Sequence, residues 1–104
     1  MKENFLTMNT DDIAWRASSF AEGVFVKDLG HADGYALQMV RFNPGAKFAP
    51  HLHEKAEFMY ILDGELMQNN QVLKSGYFSI SQIGTSDTDV YSEIGCTFII
   101  LSGI

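Results

Sequence analysis

Cysteine, proline and tryptophan are scarce in this chain of 104 residues, which contains one Cys, two Pro and one Trp. The single cysteine, Cys96, cannot form an internal disulfide bond, and this composition fits a reducing compartment. We therefore expect a cytoplasmic protein. Cys96 is expected to be a buried structural thiol, because no activating partner stands near it in the sequence.

Basic residues are also few, with 7 Lys and Arg against 13 Asp and Glu and a net charge of −6. Nucleic acids and anionic membrane surfaces both bind basic faces, so neither is expected as a partner. No apolar run approaches the roughly 20 residues of a membrane span. The first 12 residues lack the apolar centre of a signal peptide.

Helical periodicity is missing as well, since no stretch of about ten residues carries a helical apolar stripe. Instead, 46% of the residues are hydrophobic, and they fall in about eight to ten short segments separated by turns, as in a sandwich or barrel. This pattern predicts an all-β fold, a double-sheet jelly roll with a pocket between its sheets. We expect an N-terminal arm at residues 1–12 and a single domain over residues 13–104.

Individual strands are predicted at residues 35–42, 47–53, 57–62 and 96–102. Asp63-Gly64 is predicted to be a hairpin turn between two strands, and Asn69-Asn70 a second turn. A short strand, residues 71–74, follows the second turn.

Two histidines one residue apart, His51 and His53, are the main chemical feature of the chain. Their side chains point the same way in an extended strand. A tight bend at residues 54–56 brings Glu57 back beside them. Two imidazoles and one carboxylate that converge form a divalent-metal site for Zn, Fe(II) or Mn, with Ni also possible. The alternative is a pair of polar residues at a sheet rim, which a bare His-x-His would favour.

The spacing around these residues resembles the first motif of the cupins, Gly45-x5-His51-x-His53-x3-Glu57-x6-Gly64. The later Gly95-Cys96 step before an apolar strand, and the entry around Trp15 and Gly23-Val24, are similar to the ChrR-like cupin subgroup. The likeness covers most of residues 13–102. It implies a double-stranded β-helix, that is, a jelly-roll cupin barrel that holds one divalent metal ion and tends to form a homodimer.

The second cupin motif is incomplete in this sequence. Gly76 and Gly84 are in register, but Asp87 stands where the last metal-binding histidine is usual. Counting back from Gly95-Cys96 places Thr88 there instead, and the sequence leaves both open. With Asp87, the ligand set implied by the resemblance becomes His51, His53, Glu57 and Asp87.

Strand alternation predicts which side chains line the pocket. If Glu57 faces inward, so do Met59 and Ile61, and if the histidines face inward, so do Ala49 and Lys47. The pocket wall is thus expected to be Ala49, Met59 and Ile61. The outward row, Phe58, Tyr60 and Leu62, should pack against another layer or form a dimer face.

Two functions follow from these observations. One is a metal-binding ChrR-like cupin that binds a small molecule at its metal, with no assigned activity. The other is a non-haem metal-dependent oxygenase that acts on a small keto or diol-type substrate. ChrR-type anti-sigma factors also carry a helical zinc domain, which is not expected in this chain, so their activity is not inferred here.

Overall fold

The computed structural model of the chain describes residues 5–104, whose regular secondary structure is almost entirely β-strand. The prediction of an all-β chain is confirmed. A short 3-10 helix, Thr10–Asp12, is capped by the Asn9 side chain, which accepts a hydrogen bond from the backbone of Asp11. None of the described residues belongs to a helix that could span a bilayer. The strands are β1 (Arg16–Ala17), β2 (Val24–Ala32), β3 (Tyr35–Phe42), β4 (Lys47–Phe48), β5 (His51–Leu52), β6 (Glu57–Gln68), β7 (Gln71–Lys74), β8 (Phe78–Ser81), β9 (Ser86–Asp87), β10 (Val90–Tyr91) and β11 (Cys96–Gly103).

Most strands join one curled antiparallel sheet in the order β1-β2-β3-β11-β6-β10-β4, with β7 and β8 also paired to β6. The strands β5 and β9 form a separate two-stranded sheet. Of the expected N-terminal arm at residues 1–12, positions 1–4 lie outside the described residues, and Thr10–Asp12 forms the short 3-10 helix.

The longest strand, β6, connects the two walls of the barrel. Its first half pairs with β8 and β11, and its second half pairs with β7 and β10. The predicted hairpin turn at Asp63-Gly64 is wrong, because the chain continues through these residues as one strand of 12 residues. The β11 register instead shifts there and leaves Leu62 as the extra residue of a bulge, which bends β6 from one wall to the other.

The hairpin between β6 and β7 is confirmed at Asn69-Asn70. Both asparagines have positive φ, 46° and 70°, as a tight two-residue turn of this kind requires. Gln68 and Gln71 face each other across the turn.

The histidine-bearing segment departs from its prediction. Residues 47–53 form two strands of two residues, β4 and β5, with Ala49-Pro50 between them. Pro50 has no N–H to donate to a ladder, so a continuous strand is disfavoured there. Strand β4 pairs with β10 and β5 pairs with β9. Lys47 is exposed rather than inward, and its neighbour Phe48 packs edge-on against Phe42 at 5.2 Å.

The hydrophobic core lies between the walls and is continuous. It contains residues of both halves of β6, which are buried with the neighbouring strands. Cys96 is buried in this core, as expected. The buried members are Val24, Val26, Val40, Phe42, Ala46, Met59, Ile61, Leu66, Leu73, Val90, Cys96 and Phe98.

Candidate metal centre and its cavity

The short β5–β9 pair brings together donors that are far apart in the sequence. His51 and Asp87 are directly opposite each other in this antiparallel pair. Opposite residues of a pair present their side chains on the same face. The chain just beyond β5 is tied to the same loop, because the backbone N–H of His53 donates to the carbonyl oxygen of Thr85.

Three side chains meet at one oxygen atom. Oδ2 of Asp87 lies 3.1 Å from Nε2 of His53 and 3.3 Å from Nε2 of His51. One ligand atom from each of the three residues lies within 4.8 Å of the others. His53 and Asp87 are buried, with 2% and 7% of their surface exposed, whereas His51 is exposed. His51 is therefore the member of the group that is open to solvent.

Backbone carbonyls orient both imidazoles. Nδ1 of His53 lies 3.0 Å from the Thr85 carbonyl oxygen, and Nδ1 of His51 lies 3.3 Å from the Ala49 carbonyl oxygen. A carbonyl oxygen only accepts hydrogen bonds, so these contacts favour the tautomer with the proton on Nδ1. Each Nε2 then directs its lone pair toward Asp87, as in histidines that bind metals.

The donor set fits a divalent metal ion. Two Nε2 lone pairs and a carboxylate oxygen repel one another unless a proton or a cation lies between them. Two ligands bonded to one ion at about 2.1 Å are separated by about 3.0–3.4 Å in octahedral or tetrahedral geometry. The two N–O separations, 3.1 Å and 3.3 Å, agree with that spacing.

Glu57, the carboxylate that the first motif supplies, lies at the edge of this group. Its Oε1 is 3.6 Å from Nε2 of His53. Glu57 is not one of the three residues whose ligand atoms all lie within 4.8 Å of one another. Burial raises the pKa of the Glu57 carboxyl, His53 and His51 lower it, and the Asp87 carboxylate raises it. Glu57 is thus placed beside the group rather than within it.

The choice between Asp87 and Thr88 is decided by the direction of their side chains. Asp87 points to the histidines. Thr88 is exposed, and its backbone N–H and its hydroxyl both donate to Oδ1 of Asn69, at 2.8 Å and 3.1 Å. These two hydrogen bonds hold the loop that contains Thr88 against the β6–β7 turn.

Two residues near the group carry no signal in the sequence. Thr85 contacts Nδ1 of His53 through both its carbonyl oxygen and its hydroxyl. Gln68 donates from Nε2 to Oδ1 of Asp87 at 3.1 Å. Gln68 lies 19 residues before Asp87, and the bulge in β6 changes the alternation that would have predicted its direction.

A cavity of about 520 Å³ opens beside the three donors, between the two walls of the barrel. Of the three residues expected to form the pocket wall, Ala49 and Met59 line this cavity, whereas Ile61 is fully buried in the core and does not line it. The wall is mainly apolar, and its polar members cluster near the donors and near Arg16. The other lining residues include Val26, Val40, Phe48, Leu66, Val90, Phe98 and Ile100.

The chain belongs to the ChrR cupin-like domain family, whose model matches residues 3–103. Both the cupin resemblance and the jelly-roll fold inferred from the sequence are thereby confirmed. Comparison with the curated proteins finds no significant match.

Solved structures share this fold at low sequence identity. An RmlC-like cupin from Shewanella frigidimarina aligns with a TM-score of 0.84 and 17% identity, over 99% of this chain and 94% of that one. An acetylacetone dioxygenase from Acinetobacter johnsonii aligns with a TM-score of 0.80 and 11% identity, over 99% and 75%. The complex of Rhodobacter sphaeroides SigE with the anti-sigma ChrR gives a TM-score of 0.75 and 17% identity, over 92% of this chain and 51% of that one.

Proposed function

We propose that this protein holds one divalent metal ion through His51, His53 and Asp87 and binds a small organic molecule beside it. The observation that carries the proposal is the convergence of both Nε2 atoms on Oδ2 of Asp87, at 3.3 Å and 3.1 Å. The imidazole orientation set by the two backbone carbonyls supports it, because lone pairs rather than N–H groups then face the carboxylate.

Glu57 is proposed as a further oxygen donor, as the sequence suggested. It needs to approach only slightly from its position 3.6 Å from His53 Nε2. Two neutral imidazoles and two carboxylates balance a dication, and this mixed nitrogen and oxygen set suits Fe(II), Mn(II), Zn(II) or Ni(II). A bound ion of this kind supplies Lewis acidity, or electron transfer if it is iron.

The cavity indicates the class of organic ligand. Among the described residues that line it, Arg16 is the only lysine or arginine, and Arg16 already forms a bidentate pair with Asp28, at 2.6 Å and 3.0 Å. No lysine or arginine among the described lining residues is therefore left free to pair with a carboxylate or phosphate group. We infer a neutral ligand with an apolar body, which the walls hold while its oxygen atoms face the donors.

A second candidate is an oxygenase that acts on a small keto or diol-type molecule. Its support is the composition of the group, since two histidines and one carboxylate are typical of non-haem Fe(II) oxygenases. The fold shared with the acetylacetone dioxygenase is compatible with it. In this candidate the residues hold and orient the ligand, and the apolar walls exclude water.

Elemental analysis of the purified protein tests the proposal. We expect about one Zn, Fe, Mn or Ni per chain, and loss of that metal in His51→Ala. His31→Ala is the matched control, because His31 is an exposed histidine at the end of β2. A protein that takes up no metal when supplied with these ions, or an unchanged metal content in His51→Ala, would contradict the proposal. Uptake of O₂ with a panel of neutral diketones and diols then distinguishes the oxygenase from the binding protein.

We also propose a homodimer in the cytoplasm. The outward residues Phe58, Tyr60 and Leu62 of β6 are 42%, 49% and 41% exposed, which is unusual for a continuous apolar row. The buried free thiol of Cys96 is compatible with a reducing compartment. Sedimentation analysis tests the dimer, and fractionation of cells tests the location.

A further inference from the structure

The amide of Gln68 has both of its ends engaged on the cavity wall. Gln68 is the last residue of β6, and its Nε2 donates to Oδ1 of Asp87 at 3.1 Å. Its Oε1 accepts a hydrogen bond from Oγ of Ser79 at 2.7 Å. Three separate elements, β8, β6 and β9, are thus joined by one line of side-chain hydrogen bonds.

The direction of this line is fixed by its chemistry. The ionised carboxylate of Asp87 only accepts hydrogen bonds, so the NH₂ group of Gln68 must face Asp87, and the amide oxygen then faces Ser79, whose hydroxyl donates to it. A reversed amide would place an acceptor against the Asp87 carboxylate and leave two oxygens opposed. Asp87 therefore determines which end of Gln68 faces it, and Ser79 holds the other end of the amide.

The two oxygens of Asp87 consequently have different surroundings. Oδ1 accepts the hydrogen bond from Gln68, whereas Oδ2 faces Nε2 of both His51 and His53. We propose that Gln68, held by Ser79, is a positioning residue that fixes the plane of the Asp87 carboxylate. Oδ2 is thereby the oxygen presented as a metal ligand beside the two imidazoles. The inference rests on the proposed function in one respect, because the recipient of that donor is the metal ion.

Substitution of Gln68 by methionine tests this role, since Gln68→Met keeps the length of the side chain and removes both hydrogen bonds. Gln71→Met is the matched control, because Gln71 is exposed and lies directly opposite Gln68 across the hairpin. We expect the affinity for Zn²⁺ or Co²⁺, measured by titration calorimetry on metal-free protein, to fall about 10–100-fold in Gln68→Met. Ser79→Ala should show a smaller loss, and Gln71→Met none.

A merely structural role would not produce this pattern. The thermal midpoint of each metal-free variant checks folding. The visible spectrum of the Co²⁺ complex reports the geometry of the metal ligands. We expect this spectrum to change in Gln68→Met and to stay the same in Gln71→Met. Unchanged affinity and spectrum in Gln68→Met, or an equal loss in Gln71→Met, would overturn the proposal. If Gln68→Met does not fold, Gln68→Asn carries the same comparison with a shorter amide.

Crystal structures of the metal-free proteins separate this inference from the proposed function. In the parent, an Asp87 oxygen should lie near 3.1 Å from Nε2 of His53. In Gln68→Met, the carboxylate should rotate until neither oxygen remains within hydrogen-bonding distance of that nitrogen. An unrotated carboxylate overturns the inference whether or not the parent binds metal. A parent that binds no metal contradicts only the proposed function.

Discussion

Nε2 of His53 lies 3.1 Å from Oδ2 of Asp87, although 34 residues separate the two in the chain. Glu57, only four residues from His53, lies farther away at 3.6 Å. The proximity of His53 and Asp87 follows from the β5–β9 pair, in which His51 is opposite Asp87. A tertiary pairing therefore places the nearest carboxylate, and the local sequence motif places the second nearest.

Removal of the Asp87 carboxylate should weaken metal binding more than any change at the adjacent position. Asp87→Ala deletes the oxygen on which both imidazoles converge. We expect it to lower the affinity for the metal ion at least about tenfold, because even the loss of a group that only supports a metal ligand has an effect of about that size. Thr88→Ala is the control, since the Thr88 side chain bonds to Asn69 instead. Titration of metal-free protein with Zn²⁺ measures both. Equal affinities for Asp87→Ala and the parent would remove Asp87 from the ligand set.

A side chain at Gly64 should destabilise the barrel strongly. Gly64 has φ of +74°, and a Cβ there would lie 2.1 Å from the carbonyl oxygen of Gly95. Gly76 has a similar φ of +89° but open space around it. Gly76→Ala should therefore cost only the backbone strain of about 1–2 kcal/mol, and Gly64→Ala clearly more. Urea unfolding compares the free energies, and equal losses would show that strain alone limits Gly64.

Acid should remove a small stabilising contribution from Asp28. Hydrogen bonds from Arg16 and from Gln38 lower the pKa of Asp28 to about 2. A carboxyl whose pKa is lower in the folded state stabilises the fold above its unfolded value of about 3.9, and that contribution disappears as the pH falls from about 4 toward 2. The pair is about half exposed, so its contribution is at most about 1 kcal/mol.

The expected result is that Asp28→Asn is slightly less stable than the parent at pH 7 and that the difference shrinks below pH 4. Urea unfolding at a series of pH values measures it. Glu22→Gln is the control, because Glu22 is exposed and has no ion pair among residues 5–104. A difference between Asp28→Asn and the parent that stays constant with pH would contradict the assigned cause.

Neighbouring positions on β6 should respond differently to a lysine. Met59 is 9% exposed and lines the cavity, so Met59→Lys buries a charge and should cost several kcal/mol of stability or abolish ligand binding. Tyr60 is 49% exposed, so Tyr60→Lys should leave the unfolding free energy within about 1 kcal/mol while weakening the proposed dimer. Urea unfolding and sedimentation measure the two effects. The opposite pattern would contradict the facing of this strand.

The β6 strand also illustrates how far local pattern reaches. Alternation placed Met59 inward and Phe58 and Tyr60 outward, and the structure has them so, because a strand of one register offers only two directions. The Asp63-Gly64 turn was wrong because a glycine of positive φ suits a bulge as well as a turn. The local sequence does not distinguish a bulge from a turn, because what separates the two here is the backbone of Gly95, a distant residue that packs on Gly64.

By itself, the sequence determined the all-β class, the cupin resemblance and the presence of the histidine pair, because these depend on composition, turn residues and fixed spacing within about 20 residues. Only the tertiary structure decided that Asp87 rather than Thr88 faces the histidines, that Glu57 lies at the edge of the group, and that Gln68 contacts Asp87. The physical reason is that these contacts are set by pairing between distant strands and by one bulge in β6. A shift of one residue in strand register moves each side chain to the opposite face of the sheet.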